Sequence, residues 1–477
     1  MFFNSLHFLI FLPIVIAIYF SLPYRWRWVL LLAASYYFYM CWKAEYVLLI
    51  ILSTVIDYYA ALGMGRQRDK SKRKPYLLLS LIVNLGILFS FKYFNFFNEN
   101  VRVLLTQFNI FYDAPTFKLL LPVGISFYTF QTLSYSIDVY RGARPPERHF
   151  GLFAVYVAYF PQLVAGPIER STTLLPQFRD KHDFDASRAA SGLRRIMWGM
   201  FQKVVVADRL AIYVDSVYNN QAPHGGLTLI VATVFFVFQV YCDFAGYSNI
   251  AIGAARIMGF DLMENFRRPF FARSVAEFWQ RWHISLLTWF RDYLYIPLGG
   301  NRVARWRWYF NTMFVFVLCG LWHGAAWTYV ITLGLHGFFI IFSSLTESPR
   351  QALVRLTRLD RLPFLHRSGQ ILTTFVLFAF SLIFFRALSV SDATAILGKM
   401  FSFDYQFFVG QPSTFIFSVF AIVVLMTVDT MQEFFPNTIQ TIRRQPFAVR
   451  FTSYACITIL VILIGVFDGG QFIYFQF

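Results

Sequence analysis

Apolar residues along the chain gather into long runs, near 6–22, 28–42, 46–63, 76–92, 118–139, 193–218, 226–258, 309–345, 371–389, 412–433 and 451–467. A helix needs about 20 largely apolar residues to cross a bilayer. The runs therefore predict an all-α polytopic membrane protein with about eleven or twelve crossings. The run 309–345 is long enough for two spans, broken near Gly320 and Gly324. Between about 160 and 310, Pro, Gly and charges interrupt the pattern repeatedly. Pro removes a backbone donor and bends a helix, so Phe160–Arg170 cannot be one straight helix. Irregular backbone at membrane depth persists only inside protein or beside a wet cavity. Re-entrant or interfacial segments lining a cavity are expected there. The chain reads as a single membrane domain: N-terminal spans in 1–150, an interrupted core in 151–345, and C-terminal spans with an aromatic tail in 346–477. It has no internal repeat and no low-complexity tract.

Composition sharpens this picture. The 477 residues are 57% hydrophobic and 14% charged, where an average soluble domain carries about 25% charge. The net charge of +17 would suggest nucleic acid in a soluble protein. In a membrane protein the same excess follows from Lys and Arg accumulating in cytoplasmic loops, so no nucleic-acid partner is expected. The most basic loop, Arg66–Lys74, then lies inside, and counting spans places the other basic loops inside as well. Both termini fall on the extracytoplasmic side. The N-terminus lacks the basic region and cleavage site of a secretory signal, so Leu6–Leu22 is read as a retained first span. Cys41, Cys242, Cys319 and Cys456 show neither ligand spacing nor a disulfide framework. No metal site is expected.

An ionisable residue at bilayer depth is costly unless it is neutral, paired or facing water. His323, in Leu321-Trp322-His323-Gly324-Ala325-Ala326-Trp327, is such a residue. Imidazole is also the side chain best suited to proton transfer near neutral pH. Small residues around it leave either close packing or room for a substrate, which Trp322 and Trp327 would wall. His336 is a weaker candidate, and the remaining loop histidines are read as solvated. Read as one helix, 277–292 puts Glu277, Arg281, Ser285, Thr288 and Asp292 on a polar stripe, with Trp279, Trp282 and His283 on the opposite, aromatic face. Taken alone, that stretch describes an amphipathic helix on the membrane surface. The Gly299-Gly300-Asn301 loop follows it as a candidate place for close approach of a substrate to backbone. Among the buried acids expected in spans, Asp243 sits in the densest polar cluster, available to a histidine or to Arg256 or Arg281. A proton-coupled transporter using His323 and Asp243 is the competing reading from another class.

The stretches Tyr241–Ser248, Glu277–Ser285 and Gly320–Ala325 resemble the membrane-bound O-acyltransferase (MBOAT) superfamily, in particular its bacterial branch that acetylates secreted polysaccharides such as alginate. Trp289–Arg302, Phe160–Arg170, Ile125–Gly142 and the ending Phe472–Phe477 extend the likeness over most of the chain. The resemblance implies a helical bundle with a funnel on each side of a thin central wall. It implies His323 as the catalytic histidine and His283 as a second functional one. Asp243, Trp279, Arg281, Trp282, Ser285, Trp322 and Asn301 become candidates for binding substrate or donor, and Arg267, Arg268 or Arg302 for meeting donor phosphates. No bound cofactor is implied. Acetyl-CoA would be the cytoplasmic donor, and the acetyl group would cross the inner membrane to an exopolysaccharide, directly or through a periplasmic acetyltransferase, for which the aromatic tail is a candidate docking segment. Peptidoglycan, cellulose or teichoic acid would be alternative acceptors on the same fold.

Overall fold

The computed structural model describes residues 1–117, 120–164, 166–402, 406–435, 437 and 445–467. Among these, all regular structure is helical, with no strand. Seven described helices are long and apolar enough to cross a membrane: Ala44–Arg66, Lys70–Gln107, Gly226–Ile257, Trp327–Leu345, Pro363–Arg386, Pro412–Phe434 and Phe447–Ile464. The protein is thus an all-α, multi-pass membrane protein. Other apolar runs also become helices that are shorter or carry more charge, such as Leu6–Ser21, Tyr24–Met40 and Arg305–His323. The tail Phe472–Phe477 lies outside the described residues.

The chain divides into two compact units. The first comprises Met1–Ile196 and Ser248–Met263. Its centre is a buried polar knot joining three helices, Val47–Arg66, Lys70–Leu88 and Ile125–Arg141. Asp57 is fully buried. Ser80 Oγ donates to its carboxylate at 2.5 Å and Asn84 Nδ2 reaches both oxygens at 3.0 Å. Ser136 Oγ lies 3.4 Å from the carboxylate, and Ser53 Oγ donates to Asn84 Oδ1 at 2.5 Å, holding the amide in place. A buried acid without such donors would be strongly destabilising. Phe160–Arg170 breaks as its prolines require: a single turn at Phe160–Leu163, irregular backbone at 166–170, then a new helix from Ser171.

The second unit comprises Met197–Tyr247 and the chain from Glu264 onward. A π-helical stretch, Phe201–Ala207, interrupts the run 193–218 and carries buried Lys203. The run 309–345 divides where expected, into Arg305–His323 and Trp327–Leu345. The glycines there serve close packing. A Cβ on Gly320 would stand 2.7 Å from the Tyr329 carbonyl oxygen, and one on Gly324 would stand 2.2 Å from the Tyr329 ring. A larger residue at Gly320 would push against the backbone of the second helix, and one at Gly324 against the Tyr329 ring. The hairpin therefore fixes His323 at the last turn of its helix.

Candidate functional site

His323 and His283 come together at two helix ends. The segment 277–292 is not the single helix that its spacing suggested. It forms two short helices, Val275–Arg281 and Ile284–Phe290, with His283 between them at φ 44° and ψ 51°. This left-handed conformation is uncommon for a residue with a Cβ and persists only where the surroundings enforce it. Asn265 supplies the enforcement. Its carbonyl oxygen accepts from Ile284 N–H at 2.9 Å, and its side-chain oxygen accepts from Ser285 Oγ at 2.9 Å and Ser285 N–H at 3.3 Å. The break rotates the second half away from the supposed stripe, so His283 is completely buried rather than lying on a membrane surface.

The same Asn265 oxygen lies 3.3 Å from His283 Nδ1. A backbone N–H can only donate, so the Ser285 amide identifies this atom as the acceptor oxygen. His283 Nδ1 then carries the proton, and Nε2 is the basic nitrogen of the neutral ring. The His283 ring packs edge-on against Phe244 at 4.6 Å and Trp322 at 5.7 Å between centroids. The His323 ring lies 6.4 Å from it and is flanked by Trp322 at 5.1 Å and Phe385 at 5.9 Å. Both imidazoles are buried.

Two spaces lie in the same unit as the pair, and His323 lines the smaller one. A cavity of about 480 Å³ is lined by Arg267, Trp279, Ile284, Thr288, Arg291 and Tyr295, among others. A much smaller chamber, about 20 Å³, is lined by His323, His336, Trp279, Trp282, Thr332 and Phe378, with other apolar side chains. Trp279 borders both.

Several candidates land elsewhere. Trp322 is buried beside the imidazoles, but Trp327 is 54% exposed and does not line the chamber. The cation beside Asp243 is Lys203, at 2.6 Å, which also holds Asp208 at 2.8 Å. Arg256 lies near Asp261, and Arg281 is engaged by Glu277 at 2.8 Å and Glu433 at 3.0 Å. Glu433 also takes Arg268, at 2.7 Å. Burial pushes the Glu277 carboxyl up, but the Arg273 N–H and the Arg281 guanidinium outweigh it and hold the group below its ordinary value. Ser285 is a buried partner of Asn265. Asn301 and Arg302 are exposed, and their Gly-Gly loop is tied down by Asn311, whose amide donates to Leu298 O and Gly300 O. Among the expected phosphate contacts, Arg267 lines the large cavity, with Arg291 beside it as an arginine the sequence did not single out.

Sequence reasoning missed Asn265 and Lys203; His336, its weaker candidate, lines the small chamber with His323. Asn265 offers no periodic signal, since it lies in an irregular segment. Lys203 has one: a lone lysine in the apolar run Val204-Val205-Val206, which calls for buried acids. Among the described residues, no group of three or more His, Cys, Asp or Glu is placed to hold a metal.

Residues 148–390 match the family model described as MBOAT, membrane-bound O-acyltransferase family. The chain is 40% identical over 400 residues to the probable alginate O-acetylase of Pseudomonas putida, covering 83% of this chain and 79% of that one. It is 34% identical over 401 residues to the peptidoglycan O-acetyltransferase of Helicobacter pylori, covering 78% and 73%. Similarity to the teichoic acid D-alanyltransferase of Bacillus subtilis is 28% over 236 residues, covering 46% and 57%.

Proposed function

The chain belongs to the membrane-bound O-acyltransferase family, and from that premise we propose that it moves acetyl groups from cytoplasmic acetyl-CoA across the inner membrane for O-acetylation of a secreted polysaccharide such as alginate. The protein is a multi-pass O-acyltransferase. The observation carrying the finer reading is the buried pair of imidazoles, His323 and His283, at two helix ends.

In the proposed step, neutral His323 takes the proton from the acceptor hydroxyl as its oxygen attacks the thioester carbonyl carbon. The C–O bond forms and the C–S bond breaks. The imidazolium then returns its proton to the departing thiolate, so no other reagent is needed. General-base help of this kind typically contributes about 10² to 10⁴ in rate. His283 has its proton on Nδ1, toward Asn265, so the neutral ring has no N–H at Nε2 to polarise a carbonyl. That supports a role in positioning the reacting groups. Arg267 and Arg291 line the larger cavity and would meet donor phosphates there, while Arg268 and Arg281 are committed to Glu433. The termini on the outer side and a periplasmic acetyltransferase meeting the tail Phe472–Phe477 complete the proposal. Deleting that tail should abolish co-purification of such a partner while leaving CoA release intact.

Protein in nanodiscs with radiolabelled acetyl-CoA and acceptor tests the reading. Wild type should release CoA and label the acceptor, and His323→Ala should do neither. Equal slow release from both proteins would end it.

A further inference from the structure

Two residues that line the small chamber with His323 each carry a hydrogen-bonding atom that the mechanism above leaves unused. His336 Nδ1 and Trp279 Nε1 are buried and have no hydrogen-bond partner. Their residues are 1% and 7% exposed, and both line the chamber with His323. Buried polar atoms in such a state are uncommon and each calls for an explanation.

The protonation of His336 can be worked out. Ser381 Oγ lies 2.7 Å from the Phe378 carbonyl oxygen. Two oxygens at that distance repel unless a proton lies between them, so the single hydroxyl proton of Ser381 points to Phe378. Ser381 can then only accept from His336 Nε2, 2.8 Å away. Nε2 therefore carries the ring proton, and Nδ1 presents a lone pair. Phe278, nearly parallel at 10° and 6.4 Å, and Phe378 at 5.7 Å restrain the ring. Trp279 meets it edge-on at 5.1 Å.

Besides the imidazole of His323, the residues lining the chamber thus carry a donor, the indole N–H of Trp279, and an acceptor, the imidazole Nδ1 of His336. A thioester carbonyl can only accept, and would leave His336 bare. A hydroxyl-class oxygen satisfies both, and about 20 Å³ accommodates one such group. We propose that this chamber is a subsite for a single hydroxyl-class oxygen, which accepts from Trp279 and donates to His336, making His336 a positioning residue beside His323. The occupant is either the hydroxyl of the acyl acceptor, held before its proton passes to His323, or a water that orders the histidine. The proposal rests on the acetyl-transfer reading for its consequence, but its chemistry is separable.

The experiment uses the full chain in nanodiscs with ¹⁵N-labelled histidine, and methyl glycoside as the alcohol probe. His336 Nδ1 should resonate as an unprotonated nitrogen accepting a hydrogen bond. A shift on adding the glycoside assigns the occupant as acceptor hydroxyl. An unchanged signal with magnetisation transfer from water assigns it as water. A proton on Nδ1, or a lone pair that sees neither, overturns the proposal. In turnover assays, His336→Phe should lower transfer to acceptor about 10-fold, the scale of one lost hydrogen bond, and His336→Gln, which keeps an acceptor atom, should recover most of it. Ser381→Ala should reduce transfer less by freeing the tautomer, and it serves as the second variant if His336→Phe does not fold. Unaltered transfer in folded His336→Phe also overturns the proposal. If wild type fails to consume acetyl-CoA, the donor reading falls, while the nitrogen spectrum still decides the subsite.

Discussion

The Asp57 knot of the first unit and the His323–His336 chamber of the second are both buried polar clusters among apolar helices, yet they are built oppositely. Around Asp57, the neighbouring hydroxyls and the Asn84 amide turn toward the carboxylate until it is surrounded. Around the chamber, the indole N–H of Trp279 and the Nδ1 of His336 remain without protein partners. Burial of polar groups is therefore not itself a sign of chemistry. A saturated cluster joins helices, whereas a cluster with a matched donor and acceptor left over has the form of a place for another molecule.

The sharpest way to break the comparison is His323→Ala. It should cost about 10² to 10⁴ in acetyl transfer and leave the thermal midpoint in detergent nearly unchanged. A large fall in the midpoint with modest loss of turnover would put His323 with Asp57 as a structural residue. Lys203→Met should act in the opposite sense. Removing the cation shared by Asp208 and Asp243 strands two buried carboxylates, at a cost of about 3–5 kcal/mol. Denaturant unfolding would measure it, and Lys203→Met with both acids changed to Asn should recover much of the loss.

Asn84→Leu should destabilise by about 1–3 kcal/mol, because the Asp57 carboxylate loses the donor that reaches both its oxygens. The rate per folded molecule should be unaffected; a specific loss of turnover would give the knot a role beyond architecture. The smallest effect concerns Glu277. Its folded pKa is depressed, so its contribution is present above the ordinary carboxylate range and lost as pH falls through the folded value. Exposure limits that contribution to a few tenths of a kcal/mol. Glu277→Gln should flatten the acid side of the stability profile slightly, and a stability change confined to alkaline pH would contradict the assignment.

Much of the fold was legible because the bilayer imposes a simple rule. Long apolar runs must become helices, and Gly320 and Gly324 marked the division of one run into two. His323 stood out for the same reason, as a costly group in an apolar stretch. The 277–292 segment was misread because an amphipathic stripe assumes unbroken helical rotation. One left-handed residue at His283, held by Asn265 from a distant segment, redirects everything after it. Nothing in local spacing encodes that contact. Asp243 was recognised as a group needing a partner, but the partner was an unremarked lysine rather than the arginines proposed.

The sequence by itself determined that this is a helical membrane protein, that Phe160–Arg170 and the 309–345 run must break, and that His323 required an explanation, because transfer free energy and backbone hydrogen bonding act along the chain. Only the tertiary structure decided that His283 is buried beside His323, that Lys203 neutralises Asp243, and that Ser381 sets the proton of His336. Those are matters of distance and direction between groups far apart in sequence, and hydrogen bonds and ion pairs depend on both.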